Sequence, residues 1–156
     1  MSEHSEEQFL LEKLPPHSLN AEMAVLGAMI IEYEAIERVI DLLVSDDFYR
    51  EIHRLIFDAL CEIHRKPRPQ NVVTLVTLSE RLKQAGKLDQ IGGLAYLTSL
   101  IESAETAAAA EYYAAIVREK RVRRDSISAA RSFMEAMNRD DGNDASELLE
   151  DTQRTL

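Results

Sequence analysis

The chain has 156 residues and a formal net charge of −10, with 46 % hydrophobic and 29 % charged residues. This composition is typical of a soluble globular protein and excludes a disordered one. So large an excess of carboxylates disfavours broad contact with a phosphate backbone, because such contact depends on Lys and Arg. Cys61 is the single cysteine, so an intrachain disulfide is impossible, which suits a reducing cytosol.

The first 14 residues are predicted to form a flexible acidic arm, because they hold Glu3, Glu6, Glu7 and Glu12. They lack the basic start and the long apolar run of a signal peptide. No apolar stretch of the sequence approaches the roughly 18 residues of a membrane-spanning helix. We therefore expect a cytoplasmic protein that makes no membrane contact.

Helical sequence is predicted to begin after the proline pair Pro15-Pro16. Ser18 is the expected N-cap of the first helix, and Glu22 suits the positive end of its dipole. Gly27 lies inside this helix, where glycine costs about 1 kcal/mol relative to alanine. We therefore expect Gly27 to pack closely against a neighbouring helix.

The second and third helices are expected at about 34–44 and 49–65. The third has the clearest pattern in the chain, because its apolar residues recur at positions i, i+3, i+4, i+7, i+8 and i+11. These residues are Ile52, Leu55, Ile56, Ala59, Leu60 and Ile63. This pattern predicts that the third helix is the centre of the core.

Two further helices complete the predicted body. Thr74 or Thr77 is expected to cap the start of the fourth helix, and Gly86 suits its C-terminal end. Gly92-Gly93 opens the fifth helix, where its backbone could also hold an anion. A tight loop entering a helix is the simpler interpretation of the glycine pair.

No glycine or proline interrupts the sequence from about 106 to 139, which predicts one long helix. After a predicted turn at 140–144, a last helix starts near Ala145 and folds back on the long one. The predicted fold class is therefore all-α. A compact bundle of about five to six helices at 15–105 is followed by an extended antiparallel helical hairpin at 106–156.

The apolar residues of the long helix stop in its basic middle part and return beyond it. Two narrow apolar edges on a hairpin have little body to bury them, so self-association is the expected solution. The alternative is that the two helices of the hairpin cover these edges themselves. The basic run at 118–124 has three open interpretations: a solvated surface paired with acids such as Asp125, a protein interface, or a DNA contact.

The residues predict no catalytic, cofactor or metal site. A Walker A loop needs Gly-x-x-x-x-Gly-Lys-Ser/Thr, yet the only Gly-Lys pair has Arg81 and Leu88 at the flanking motif positions. His53 and His64 lie about 16 Å apart along one helix and cannot share a metal ion. Cys61 and His64 offer two ligands where a structural zinc site needs four.

Five blocks of sequence stand in a characteristic order and spacing over about residues 14–151. In chain order they are Pro15-Pro16 with Ala21-Glu22 and Val25-Leu26-Gly27; Asp47-Phe48-Tyr49 with His53 and Ile56-Phe57; Thr74, Leu82, Leu88 and Ile91-Gly92-Gly93 with Tyr96-Leu97; Tyr112-Tyr113-Ala114, Ile116-Val117, Glu119 and Arg124; and Glu147-Leu148-Leu149 with Asp151. This ordered set resembles the N-terminal domain of the replicative DNA helicases of the DnaB family.

The resemblance implies functions that composition alone does not. The parent protein would be a hexameric, ATP-driven 5′ to 3′ helicase, whose motor domain would hold ATP and magnesium and is expected to be absent here. This domain would form a ring through hairpins that pair between neighbours. Primase would dock on it, a helicase loader would act on the same hexamer, and DNA would be contacted by the hexamer as a whole.

We therefore expect an assembly and partner-docking domain without an ATPase site. We also expect Leu156 to interrupt the pattern of the last helix rather than to be its natural end. The candidate residues for subunit or partner contacts are Tyr96, Arg121, Arg124, Ile127, Phe133, Met134, Leu148 and Leu149. The alternative is a free-standing helical adaptor or regulatory protein. A Walker A loop downstream in the reading frame would decide for the helicase.

Overall fold

The computed structural model describes residues 14–139, 142 and 144–155, and in these ranges it contains seven α-helices and no β-strand. The helices are α1 (Leu19–Ile31), α2 (Tyr33–Leu42), α3 (Glu51–His64), α4 (Leu75–Gln84), α5 (Gly93–Ser103), α6 (Ala110–Asn138) and α7 (Ala145–Thr155). Short 3-10 turns at Ser45–Asp47 and Ala107–Ala109 precede α3 and α6. The all-α prediction is confirmed, and in the described ranges no helix has the length and apolar character needed to cross a bilayer.

Some predicted elements fall beyond the described ranges. The predicted acidic arm lies outside them except for Leu14, which is exposed. The predicted turn after α6 is described only at Gly142 and Asp144, and the Asp144 carboxylate accepts the backbone N–H of Ser146 at 3.0 Å. Leu156 also lies outside the described residues.

The chain divides into two compact units. The larger comprises residues 17–120, and the smaller comprises the described residues of 1–16 and 121–156. The division falls inside α6, because the first turns of this helix bury Ala110, Ala114 and Val117 in the core of the larger unit. The division of the chain at residue 105 stays a prediction.

Short-range chemistry sets the helix ends where the sequence predicts them. The Ser18 hydroxyl accepts the backbone N–H of Ala21 at 3.3 Å and caps α1. Thr74 and Thr77 together cap the start of α4. The Thr74 hydroxyl oxygen accepts the backbone N–H of Thr77 at 3.1 Å, and the Thr77 hydroxyl oxygen accepts that of Thr74 at 2.8 Å. Gly86 follows α4 with a φ of +68°, a left-handed conformation that favours glycine.

The centre of the core is α1 rather than α3, which corrects the expectation drawn from periodicity. The predicted stripe of α3 is buried from Ile56 onward, whereas Ile52 and Leu55 are only half-buried. α1 is buried on nearly every side and packs against α2, α3 and α5. Its buried residues are Ala21, Glu22, Ala24, Val25, Leu26, Gly27, Ala28, Met29 and Ile30. A helix with no polar face has to be enclosed by its neighbours.

Gly27 brings α1 and α5 into close contact, as its position inside a helix predicted. A Cβ at Gly27 would overlap the carbonyl oxygen of Leu100 and lie 2.8 Å from the carbonyl carbon. It would also lie 3.0 Å from the Cβ of Ala104. The residue is therefore a glycine because the α5 backbone occupies the space of a side chain.

Candidate protein-interaction surface

The smaller unit contains apolar side chains without a core to hold them. None of its described residues is buried, although α6 and α7 together carry many apolar residues. Ile127 is 47 % exposed, Met134 63 % and Leu149 45 %. The alternative that the two helices of the hairpin bury their own apolar edges is therefore wrong for the described residues.

One apolar surface of this unit is a groove between α6 and α7 of about 720 Å³. Phe133, Ala129 and Ala136 on α6 line it together with Leu148 on α7. Polar side chains also line the groove, and these are Arg121, Asp125, Ser126, Ser128, Ser132, Asp151, Thr152 and Thr155. A protein-binding surface usually combines apolar contacts with polar ones.

A second apolar surface lies on another face of α6. Ile127, Ala130 and Met134 form it at helical spacing, and Arg131 and Glu135 flank it in a shallow cavity of about 420 Å³. The structure thus brings Ile127 together with Met134, and Phe133 together with Leu148. Leu149 is exposed on α7 and lines neither surface.

The basic run at 118–124 is partly neutralised by the chain itself. The Arg121 Nε donates to both carboxylate oxygens of Asp125, at 2.9 and 2.7 Å, as the solvated-surface interpretation predicts. The guanidinium of Arg118 donates to the buried Asp47 at 2.8 Å, and that of Arg124 donates to the carbonyl oxygen of Pro16 at 2.8 Å. These contacts fix the side chains and reduce their capacity for a phosphate backbone.

Tyr96 belongs to a buried polar cluster of the larger unit that we call the Glu22 cluster. Glu22 accepts the backbone N–H of Tyr49 at 3.1 Å and lies 2.8 Å from the Nδ1 atom of His53. The Nε2 atom of His53 lies 2.6 Å from the Tyr96 hydroxyl, which also accepts from the guanidinium of Arg50 at 3.2 Å. An Nδ1–H tautomer satisfies every group, with the tyrosine O–H donating to Nε2.

Burial raises the pKa of the Tyr96 hydroxyl, Arg50 lowers it and Glu22 raises it, and the net direction is upward. The phenol therefore keeps its proton and remains a donor to His53. Any partner contact of Tyr96 would use its half-buried ring, since the hydroxyl faces the cluster.

Sequence reasoning missed this cluster because it considered each member for another role. From the sequence, Glu22 is explained by the helix dipole, and His53 is considered and rejected as a metal ligand and otherwise counted only in the family resemblance. One signal was available in the sequence, because Glu22 and His53 are ionisable residues on apolar helix surfaces. His53 stands three residues before Ile56 and seven before Leu60, a spacing that places it on the same face of the helix. In the described ranges, no group of three or more His, Cys, Asp or Glu side chains is arranged to hold a metal ion.

The comparisons with known proteins agree with one another. The family model of the DnaB-like helicase N terminal domain matches residues 14–119. A replicative DNA helicase DnaB of Geobacillus stearothermophilus is 38 % identical over 146 residues, which cover 93 % of this chain and 31 % of that protein. A replicative DNA helicase DnaC of Bacillus subtilis is 36 % identical over 148 residues, which cover 94 % and 32 %.

Among solved structures, the crystal structure of the N-terminal domain of DnaB helicase from Mycobacterium tuberculosis is similar, with a TM-score of 0.80 and 34 % sequence identity. The match covers 91 % of this chain and 97 % of that one. The chain thus spans about a third of the length of the curated relatives, and nearly all of the solved domain.

Proposed function

Because the chain belongs to the DnaB-like helicase N-terminal domain family, we propose that it is the assembly and partner-docking part of a hexameric replicative DNA helicase. The whole protein would unwind DNA at the replication fork in the cytoplasm, using ATP and magnesium. The names of the relatives support this proposal, since they are replicative DNA helicases.

We place the ATPase chemistry outside this chain. The only Gly-Lys pair, Gly86-Lys87, follows the C-terminal end of α4, whereas a phosphate-binding loop opens a helix at its N-terminus. Arg81 lies within α4, where the motif would need a loop glycine. The residues around this pair therefore do not form a Walker A loop, and we derive no step of hydrolysis from them.

The observation that carries the proposal is the exposure of apolar side chains on the smaller unit. Two apolar surfaces are candidates for a protein contact: the groove lined by Phe133 and Leu148, and the face of α6 formed by Ile127 and Met134. We propose that the Ile127–Met134 face pairs with the hairpin of a second subunit. The groove would remain available to a protein partner, for which the family resemblance suggests primase or a helicase loader.

Light scattering tests the subunit contact. The double variant Ile127→Asp with Met134→Asp places two carboxylates on the proposed face, and we expect it to lower the oligomer mass of the wild type to that of a monomer. Leu94→Asp is the matched control, because Leu94 on α5 is as exposed, at 51 %, but lies on the larger unit. A wild type that is monomeric at high protein concentration would contradict the proposal, as would a double variant that keeps the wild-type mass.

A second measurement tests the groove. Titration of a primase C-terminal fragment into the chain is expected to give binding that Leu148→Ser weakens by about tenfold or more, as is usual when a central apolar contact of an interface is lost. Leu149→Ser is the control on the same helix, since Leu149 does not line the groove. Equal affinities of the two variants would count against the groove as the primase site.

A further inference from the structure

A separate apolar cavity of about 420 Å³ lies on the larger unit, beside the start of α2. Tyr33, Pro69, Val72 and Val73 supply most of its wall. Arg68 and Asn71 complete the lining, and the Nδ2 group of Asn71 donates to the Tyr33 hydroxyl at 3.3 Å. The surface that lines the cavity is mainly apolar, and the cavity is large enough for one aliphatic or aromatic side chain.

The apolar surface extends beyond the cavity toward α4. Val72 is 51 % exposed and Val76, in the first turn of α4, is 68 % exposed. The Thr77 hydroxyl donates to the carbonyl oxygen of Val72 at 2.9 Å, so the same threonine that caps α4 also fixes the backbone at the cavity wall. An exposed apolar patch on a fixed backbone loses little entropy when it binds.

Three cationic residues lie in the segment that leads into this patch, and one of them, Arg68, lines the cavity itself. Arg65, Lys66 and Arg68 are exposed, and within the described ranges the structure records no ion pair between them and a carboxylate. Arg81, by contrast, is paired with Glu62. Arg65 closes α3, where a positive charge suits the helix dipole, whereas Lys66 and Arg68 lie beyond the helix.

We propose that this surface, residues 65–76 with Tyr33, binds an acidic peptide segment of a partner protein. One apolar side chain of the peptide would enter the cavity, and the carboxylates beside it would meet Lys66 and Arg68. Tyr33 is the one aromatic residue among those that line the cavity, and Pro69, Val72 and Val73 are aliphatic. This wall favours a peptide over single-stranded nucleic acid, because bases bind mainly by stacking on aromatic rings. The surface lies on the larger unit and does not include the hairpin residues of the proposed assembly contact.

Fluorescence polarisation of labelled peptides tests the proposal. The probe is Glu-Asp-Glu-Leu-Leu-Glu-Asp-Glu, and its comparison peptide carries two serines in place of the leucines. We expect saturable binding of the leucine peptide only. Arg68→Glu should weaken it by about tenfold, because a charge beside the bound carboxylates is reversed. Val72→Ser should weaken it by about threefold to tenfold, since it removes apolar contact area.

Two control variants match these changes on the same unit. Lys83→Glu reverses an exposed charge on α4, and Leu94→Ser removes an apolar side chain as exposed as Val72. Both should bind the leucine peptide within twofold of the wild type. Any of three results would overturn the proposal: no saturable binding, equal binding of the serine peptide, or equal effects of Lys83→Glu and Arg68→Glu. Binding of a short oligothymidine that Arg68→Glu abolishes, without peptide binding, would assign the surface to nucleic acid instead.

Discussion

The hydroxyl of Tyr96 contacts both His53 and Arg50 in the Glu22 cluster, and its removal should destabilise the larger unit. Tyr96→Phe leaves the ring in place but takes away the group 2.6 Å from the Nε2 atom of His53. His53 is fully buried, so its ring nitrogen would lose its partner without gaining water. Leaving a buried polar atom unsatisfied costs about 1–3 kcal/mol. Arg50 would lose a bond too, but its half-buried side chain can turn to solvent.

Urea unfolding followed by circular dichroism measures this cost. With an m-value of about 2 kcal/mol/M, a loss of about 2 kcal/mol lowers the midpoint by about 1 M. Tyr112→Phe is the matched control, because Tyr112 is 67 % exposed and its hydroxyl is not part of the cluster. If the two variants unfold at the same urea concentration, the Tyr96 hydroxyl does not stabilise the fold and the reasoning from the cluster fails.

Two further predictions concern the core. Gly27→Ala should lower the free energy of unfolding by about 2 kcal/mol or more, because the new Cβ meets the α5 backbone at Leu100. Thermal unfolding should show a smaller loss for Gly86→Ala, whose Cβ would have open space, so that only the left-handed φ of +68° opposes alanine. Burial raises the pKa of the Cys61 thiol to about 11, so at pH 8 a thiol reagent should label the folded chain about a hundredfold more slowly than the urea-unfolded chain. Equal losses for the two glycine variants, or equal labelling rates in the two states, would contradict the respective argument.

Local chemistry made much of the fold predictable. The cap of Ser18 and the turn at Gly86 depend on neighbours within a few residues, so their sequence signals are complete on their own. The apolar stripe of α3 was also predictable from the sequence. The sequence did not show, however, that α1 is more completely buried than α3. Periodicity detects a helix with one apolar face, whereas α1 is apolar on nearly all sides and shows little periodicity.

The polar cluster and the interaction surfaces were less predictable, for a physical reason. Glu22 forms a hydrogen bond with His53 although the two residues are 31 positions apart in sequence, and His53 forms one with Tyr96 at a separation of 43 positions. No spacing rule within one helix links such residues, so only the packing of three helices brings them together. On α6 the sequence indicated which residues are apolar, but not that Phe133 and Met134, adjacent in sequence, serve different surfaces.

The enclosure of α1 has a consequence for synthesis of the protein on the ribosome. α1 is made first, yet its close partner α5 follows roughly seventy residues later, a delay of about 4–14 s at 5–20 residues per second. During that interval a helix without a polar face has no finished site in which to bury its side chains. We expect nascent chains that end before α5 to need a chaperone, and the larger unit to become independent of it only once Leu100 can meet Gly27.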